Sequence, residues 1–162
     1  MGFKSYVTVP HSSKGYYSIL SGLHAYPDIE IKEAIPDYQP SLIHELKVKK
    51  NMESIAFSSL NYQFENMGGY LNSIGVEQLY SVAEIMLQKG GEPNISSSFG
   101  VNDDKLFSSS IPYLKEIRNN GQGFFALYFP TAAHYPYKCT GKEMLQTGIE
   151  KYENCIKKTD KL

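Results

Sequence analysis

The sequence has 162 residues, and its 16 Lys plus Arg against 17 Asp plus Glu give a formal net charge of −1. This length is enough for one domain with its own hydrophobic core, and the balanced charge argues against nucleic acid, which usually binds a basic surface. No apolar run approaches the roughly 18 residues of a spanning helix, so the sequence predicts no membrane span.

The first half of the chain alternates between strand-like and helix-like patterns. Period-two alternation and β-branched residues indicate strands, whereas an apolar stripe after a capping residue indicates a helix. Ser12 is the predicted N-cap of the first helix. The predicted elements are a strand at 3–9, a helix at 13–21, an amphipathic helix at 41–50, a buried strand at 53–58, a helix at 64–73 and a strand at 78–83.

The second half continues the alternation. Residues 88–100 are predicted to be a loop from their Gly, Pro and Ser content. Asn102 then caps a helix, with Asp103 and Asp104 interpreted as charges that favour the helix N-terminus and Pro112 expected to kink it. The apolar run at 123–129 predicts a strand in the middle of a sheet, and a last helix follows. Such alternation predicts an α/β fold with a parallel sheet and helices on both faces.

Two cysteines, Cys139 and Cys155, are too few for a disulfide framework and lack a metal-ligand spacing. They are interpreted as two unrelated thiols. A bridge in an oxidising compartment is the alternative.

The segment "PHSSKGYYSILSG" places two hydroxyls and a cation where a strand leads into a helix. Unpaired N–H groups and the positive end of the helix dipole suit a phosphate, a sulfate or a serine nucleophile there. Lys14 adds a charge for an anionic oxygen. The alternative is that Ser12 and Ser13 only cap the helix.

His134 lies in "FPTAAHYPY", just after the predicted strand 123–129. Ligands of open α/β sheets bind beyond the carboxyl ends of the strands, so this histidine is a candidate to contact substrate oxygen or to donate a proton. The alternative is a loop histidine that bonds to backbone. His24 and His44 have no nearby ligand set and are interpreted as structural.

Several segments resemble, in the same order, the sulfatase group of the alkaline phosphatase superfamily, which includes arylsulfatases, phosphoglycerol transferases of the lipoteichoic acid synthase type and phosphoethanolamine transferases. The matching segments are "PHSSK", "FENMGGYLNSIGVEQLY", "SFGVNDDKLFSSSIPYLKEI", "FFALYFPTAAHYPY" and "KYENCIKKTD". With "PSLIHELKVKKNMESIAFSS", which also matches, these segments are spread in order from residue 10 to residue 160, so the resemblance extends along nearly the whole chain.

The resemblance implies a fold and a set of site residues. It implies an incomplete alkaline-phosphatase-like sheet flanked by helices, with 1–162 as a partial sulfatase-type catalytic domain that lacks the N- and C-terminal metal-ligand segments. Ser12 falls at the place of the family nucleophile, which is also a metal ligand. Lys14, His134 and His11 would bind substrate, although a turn role for His11 is the alternative. Because no Cys stands at the nucleophile position, a formylglycine route is closed.

The resemblance also implies a function: a hydrolase of sulfate or phosphate esters, including lipid- or glycan-linked ones, that uses a hydroxyl nucleophile and a divalent Ca, Mg, Mn or Zn ion. A head-group transferase and a non-catalytic remnant are the alternatives. Because the metal site is incomplete in this sequence, the chain alone is expected to show little or no turnover. An extracytoplasmic or periplasmic location, with anchoring through segments absent here, is the implied setting.

Overall fold

A computed structural model describes residues 9–31, 40–90, 95–97, 100–137 and 147–161. The helices of these segments are α1 (Ser12–Ser21), α2 (Leu42–Lys50), α3 (Met67–Ser73), α4 (Val82–Gln88), α5 (Asp103–Asn119) and α6 (Gly148–Thr159). The strands are β1 (Met52–Ser58), β2 (Gln78–Ser81), β3 (Ile95–Ser97), β4 (Gly100–Val101) and β5 (Gly123–Phe129), and a 3-10 turn spans Phe64–Asn66.

The main sheet is parallel, in the order β2-β1-β5. Ala56 of β1 lies opposite Leu79 on one side and Leu127 on the other. The predicted α/β class with a parallel sheet is therefore confirmed. Strands β3 and β4 form a separate antiparallel pair within the segment that was predicted to be a loop.

Strand β5 has the predicted bounds, and its predicted central place stays a prediction because the strand predicted at 3–9 lies outside the described residues. Within the described residues it lies at an edge of the sheet and β1 lies in the centre. Its apolar character on both faces reflects helices packed above and below it.

Two hydrophobic clusters cover the two faces of the sheet. Helices α1, α2 and α3 pack on one face through Leu20, Ile43, Tyr70 and Leu71, together with Ala56 of β1. Helices α4 and α5 pack on the opposite face, where the buried side chains are Ile55, Phe57, Val82, Ile85, Leu106 and Ile117. The chain therefore forms three layers, as expected when helices cover both faces of a parallel sheet.

Two predicted boundaries need correction. Helix α1 begins at Ser12, so His11 and not Ser12 is its N-cap. Strand β2 stops at Ser81, where a capping box with Glu84 starts the unpredicted helix α4. Pro112 lies inside α5, as predicted, and this helix continues through it to Asn119.

Cys155 of α6 is fully buried and disulfide-bonded. The interpretation of the cysteines as two unrelated thiols is therefore wrong for Cys155, whose side chain faces the protein interior. Cys139 lies outside the described residues.

Among the described helices, none combines the length and the apolar character that crossing a membrane requires.

Candidate functional site

A cavity of about 420 Å³ lies beyond the carboxyl ends of β1 and β5. The backbone N–H of Ser59 donates to the carbonyl of Phe129, at 3.2 Å, and so ties the two strand ends together. This is the edge at which ligands of open α/β sheets bind. The lining residues are Pro10, His11, Ser12, Tyr16, Leu60, Phe64, Glu65, Met67, Tyr128, Phe129, Pro130, Thr131 and His134.

Ser12 is the first residue of α1 and is exposed at the cavity. The first N–H groups of a helix have no intrahelical acceptor, and the helix dipole places its positive end there. The His11 side chain, at the N-cap position, makes no capping hydrogen bond. The start of α1 is therefore a place where an anionic oxygen is favoured next to the Ser12 hydroxyl.

His11 is held from both of its ring nitrogens. Its Nδ1 lies 2.9 Å from Oγ of Ser13, and its Nε2 lies 3.3 Å from Oε1 of Glu65. Ser13 is buried and does not line the cavity. Ser13 therefore orients His11, whereas the sequence predicted a helix cap or a site hydroxyl at Ser13.

His134 lies in the turn that follows β5, and its backbone N–H donates to the carbonyl of Thr131 at 2.9 Å. Its Nδ1 lies 2.8 Å from the carbonyl oxygen of Tyr135. A carbonyl only accepts, so Nδ1 carries the proton and the neutral ring has its lone pair on Nε2. In this tautomer His134 accepts a proton through Nε2, and it donates from Nε2 only as an imidazolium.

Asp103 fixes the backbone that leads to His134. The N–H of Thr131 donates to its Oδ1 and the N–H of Ala132 to its Oδ2, both at 2.9 Å. The hydroxyl of Ser59 donates to Oδ1 at 3.1 Å. Asp103 is 5% exposed, so these bonds hold the loop from inside the protein. The sequence predicted only a helix-terminal charge at Asp103 and did not predict this contact with the loop.

Gly100 allows this arrangement to form at the end of β1. A Cβ atom at Gly100 would lie 2.0 Å from the carbonyl oxygen of Ser59, and the Gly100 φ of +135° is one that side chains rarely adopt. The N–H of Val101 donates to the same carbonyl at 3.2 Å. A glycine is therefore required for the chain to pass close to Ser59 immediately before Asp103.

The structure does not place Lys14 in the cavity. Its ammonium group donates to the carbonyl oxygens of Tyr26, Pro27 and Ile29 at 2.5, 2.8 and 2.6 Å. An ammonium has three donors, and all three have backbone acceptors here. Of the four predicted site residues, the structure thus brings together Ser12, His11 and His134 at the cavity. Lys14 lies in α1 but outside the lining, and its ammonium group is directed to the loop that follows this helix.

Glu65 lines the cavity and was not predicted. Glu65 and Asn66 have φ values of 48° and 51°. These lie in the left-handed region, which Gly, Asn and Asp adopt more readily than other residues. A Cβ on Gly69 would lie 2.5 Å from Oδ1 of Asn66, so the Asn66 side chain in its present position requires glycine at 69. The Asn and the two Gly of "ENMGG" indicate a turn. They do not predict that Glu65 itself adopts a left-handed conformation.

Tyr16 adds a buried hydroxyl to the same wall. Burial, and then the negative charge of Glu65, raise the pKa of Tyr16 above its usual value. Within the described segments this hydroxyl has no hydrogen-bond partner. Tyr16 therefore remains a neutral donor near neutral pH.

The divalent metal implied by the sequence resemblance finds no binding site among the described residues. Nowhere in these segments do three His, Cys, Asp or Glu side chains come together as a metal would require. The role of Ser12 as a metal ligand therefore stays a prediction.

No family model and no curated protein matches the chain. Several solved structures do, two of them with high TM-scores. The lipoteichoic acid synthase LtaP from Listeria monocytogenes superimposes with a TM-score of 0.74 at 18% identity, over 91% of this chain and 37% of that one. A protein in the alkaline phosphatase superfamily from Vibrio parahaemolyticus gives 0.71 at 16%, over 96% of this chain and 40% of that one.

These similarities confirm the predicted alkaline-phosphatase-like fold. At such low identity they establish the fold alone. The chain spans about two fifths of the length of both structures. The reaction and the roles of the residues must therefore be argued from the cavity itself.

Proposed function

We propose that this chain carries the nucleophile side of a site that cleaves or transfers sulfate or phosphate esters. The observation that carries the proposal is the cavity in which the N-terminus of α1, with Ser12, meets His134 beyond β5. The alkaline-phosphatase-like fold supports it, since both structural neighbours share this architecture.

In the proposed reaction the anionic group of the ester binds at the start of α1. Ser12 Oγ forms a bond to phosphorus or sulfur as the bond to the leaving alcohol oxygen breaks. The hydroxyl of Ser12 gives up its proton, and the oxygen of the leaving alcohol takes up a proton. Helix N–H groups stabilise the charge that develops on the non-bridging oxygens.

His134 is the proposed group for these proton transfers. In the tautomer set by the Tyr135 carbonyl, Nε2 receives a proton, and the imidazolium so formed donates it to the leaving oxygen. Lys14 was predicted to hold substrate oxygens. Because its three bonds go to backbone, we assign the anion to the helix N-terminus and the histidines instead.

The covalent ester on Ser12 then passes to water in a hydrolase or to an alcohol in a transferase. Transfer is the second candidate, because one neighbour is described as a lipoteichoic acid synthase. The same binding step serves both reactions, so binding is the first property to test.

The chain's four histidines provide the test. Phenyl phosphate and phenyl sulfate are titrated into the purified chain, and the four imidazole signals are followed by NMR. We expect the signals of His11 and His134 to shift with saturation. His24 and His44 are exposed away from the cavity and serve as internal controls, so their signals should stay in place.

Ser12→Ala and His134→Gln should both weaken this binding, and mass spectrometry should detect a covalent ester only where Ser12 is present. Turnover by the chain alone is expected to be very low. Two results would contradict the proposed site. One is equal shifts of all four histidine signals. The other is an affinity that is as high in both variants as in the wild type.

A further inference from the structure

Ser12 lies between two residues whose side chains bond to each other. Nδ1 of His11 is 2.9 Å from Oγ of Ser13, so the residues before and after Ser12 are joined across it. The backbone carbonyl of His11 also accepts from the N–H of Gly15 at 2.9 Å, which is the first hydrogen bond of α1. Holding the His11 ring therefore holds the first turn of the helix that presents Ser12 to the cavity.

Glu65 holds this pair from outside α1. Its Oε1 lies 3.3 Å from Nε2 of His11. A carboxylate only accepts, and it repels a nitrogen lone pair, so the proton of the neutral ring lies on Nε2. Nδ1 then accepts from the hydroxyl of Ser13. The hydroxyl alone fits either tautomer, so Glu65 decides between them.

The turn that carries Glu65 has an unusual backbone. The φ and ψ of Glu65 are 48° and 29°, and those of Asn66 are 51° and 32°. Left-handed residues that carry a side chain are disfavoured, and they cluster at functional sites. An ordinary helical φ at Glu65 would turn its side chain in a different direction. The left-handed conformation therefore directs the carboxylate to the His11 ring at the cavity.

We infer that Glu65 is a positioning residue for Ser12: with His11 and Ser13 it forms a clamp that fixes the first turn of α1 at the cavity. This inference rests on the proposed function, in which Ser12 is the nucleophile and the start of α1 binds the anion. It goes further because it gives a negative charge beside an anion site a role without substrate contact. The clamp also occupies both ring nitrogens of His11, which leaves the proton transfers to His134.

The charge of Glu65 and its hold on His11 have opposite effects on a bound anion. The carboxylate repels a phosphate at the start of α1, whereas the clamp orders the N–H groups and the hydroxyl that receive the phosphate. Glu65→Gln removes the charge and keeps an acceptor for Nε2. Glu65→Ala removes both. The difference between these two variants therefore measures the clamp at equal charge.

The first measurement determines which ring nitrogen of each histidine carries the proton. Long-range proton–nitrogen NMR spectra of the full chain are recorded at about pH 9, where an ordinary imidazole is neutral. We expect the proton on Nε2 in His11 and on Nδ1 in His134. Glu65→Gln should keep the His11 pattern. Glu65→Ala should move the His11 nitrogen signals towards those of the exposed His24 and His44.

The second measurement compares affinities for phenyl phosphate, followed through the His134 signal. We expect Glu65→Ala to bind about fivefold more weakly than Glu65→Gln, although the two variants carry the same charge. His11→Phe removes the middle of the clamp, so in that background the two Glu65 variants should bind equally. Glu45→Ala and Glu45→Gln change α2 outside the cavity lining, and their affinities should match that of the wild type.

Four results would overturn the inference. A His11 proton on Nδ1 in the wild-type chain would contradict the clamp. Equal affinities of Glu65→Gln and Glu65→Ala, with binding by the wild type, would refute the role of Glu65 and leave the proposed function intact. A difference that persists with His11→Phe would show that Glu65 does not act through His11. No binding of phenyl phosphate to the wild-type chain would overturn the proposed function, and the inference with it, whichever tautomers are found.

Discussion

The loop after α1 and the loop after β5 are each fixed by one buried charge, and the two charges have opposite signs. Lys14 donates to three backbone carbonyls at 26, 27 and 29, whereas Asp103 accepts from two backbone N–H groups at 131 and 132. The exposed fractions of Lys14 and Asp103 are 6% and 5%. Each buried charge thus holds the backbone of its loop through several hydrogen bonds.

The two loops differ in what they carry. The Asp103 loop presents His134 to the cavity, while the Lys14 loop contributes no lining residue. A buried charge beside a site is therefore not by itself a site residue. What decides its role is the loop that it holds: Asp103 holds the backbone that leads to His134, whereas Lys14 holds a loop outside the cavity lining.

The largest effect is expected from Asp103→Ala. This substitution removes the acceptor of three donors, namely the backbone N–H groups of Thr131 and Ala132 and the hydroxyl of Ser59. Unfolding by urea should show a loss of about 3–5 kcal/mol, as for other broken buried charge contacts. The response of His134 to phenyl phosphate should be lost as well.

Asp104→Ala is the matched control for Asp103→Ala. It removes a carboxylate from the same first turn of α5, and Oδ1 of Asp104 has no hydrogen-bond partner within the described residues. Only the dipole term is lost, about 0.3–1 kcal/mol. Similar losses for the two variants would show that helix charge, and not the loop contact, explains Asp103.

Lys14→Met should give the second largest effect and should separate stability from binding. Three carbonyls lose a charged donor while the aliphatic stem is kept, so we expect a loss of about 2–3 kcal/mol in urea unfolding. Affinity for phenyl phosphate should stay within about twofold of the wild-type value, since Lys14 does not line the cavity.

Lys50→Met, an exposed change at the end of α2, is the control for stability. A large loss of phenyl phosphate affinity in Lys14→Met, with unfolding unchanged, would restore the role in substrate binding that the sequence predicted for Lys14.

The contrast between the loops also marks what the sequence alone could predict. Strand β5 and the meeting of Ser12 with His134 were predictable, because apolar period and the strand-end rule are local signals. The hydrogen-bond partners of Lys14 were not predictable, because its acceptors belong to a loop whose path depends on tertiary packing. Glu65 was missed for a related reason, namely that two consecutive left-handed residues contradict local preference.

The smallest expected effect comes from Glu77, a half-exposed counterpart of the two buried charges. Its carboxylate pairs with Lys47 of α2 and accepts from the backbone N–H of Ser54 at 2.9 Å. Partial burial opposes ionisation, but the bonds from Lys47 and Ser54 outweigh it and hold the pKa of Glu77 below its usual value.

A lowered folded-state pKa means that the ionised Glu77 stabilises the protein above the unfolded-state pKa of about 4.3, and that this contribution is lost as the pH falls through the folded-state pKa. Glu77→Gln should therefore be less stable than the wild type at pH 7, by less than about 1 kcal/mol because the pair is solvent-screened. The two proteins should converge in urea unfolding as the pH is lowered towards about 3. High salt should reduce the difference in stability between the wild type and Glu77→Gln at pH 7, because it screens the exposed pair of Glu77 and Lys47. The effects of replacing the buried Lys14 and Asp103 should depend less on salt. A gap that persists unchanged at low pH would mean that Glu77 stabilises the junction of α2 and β1 through packing and not through charge.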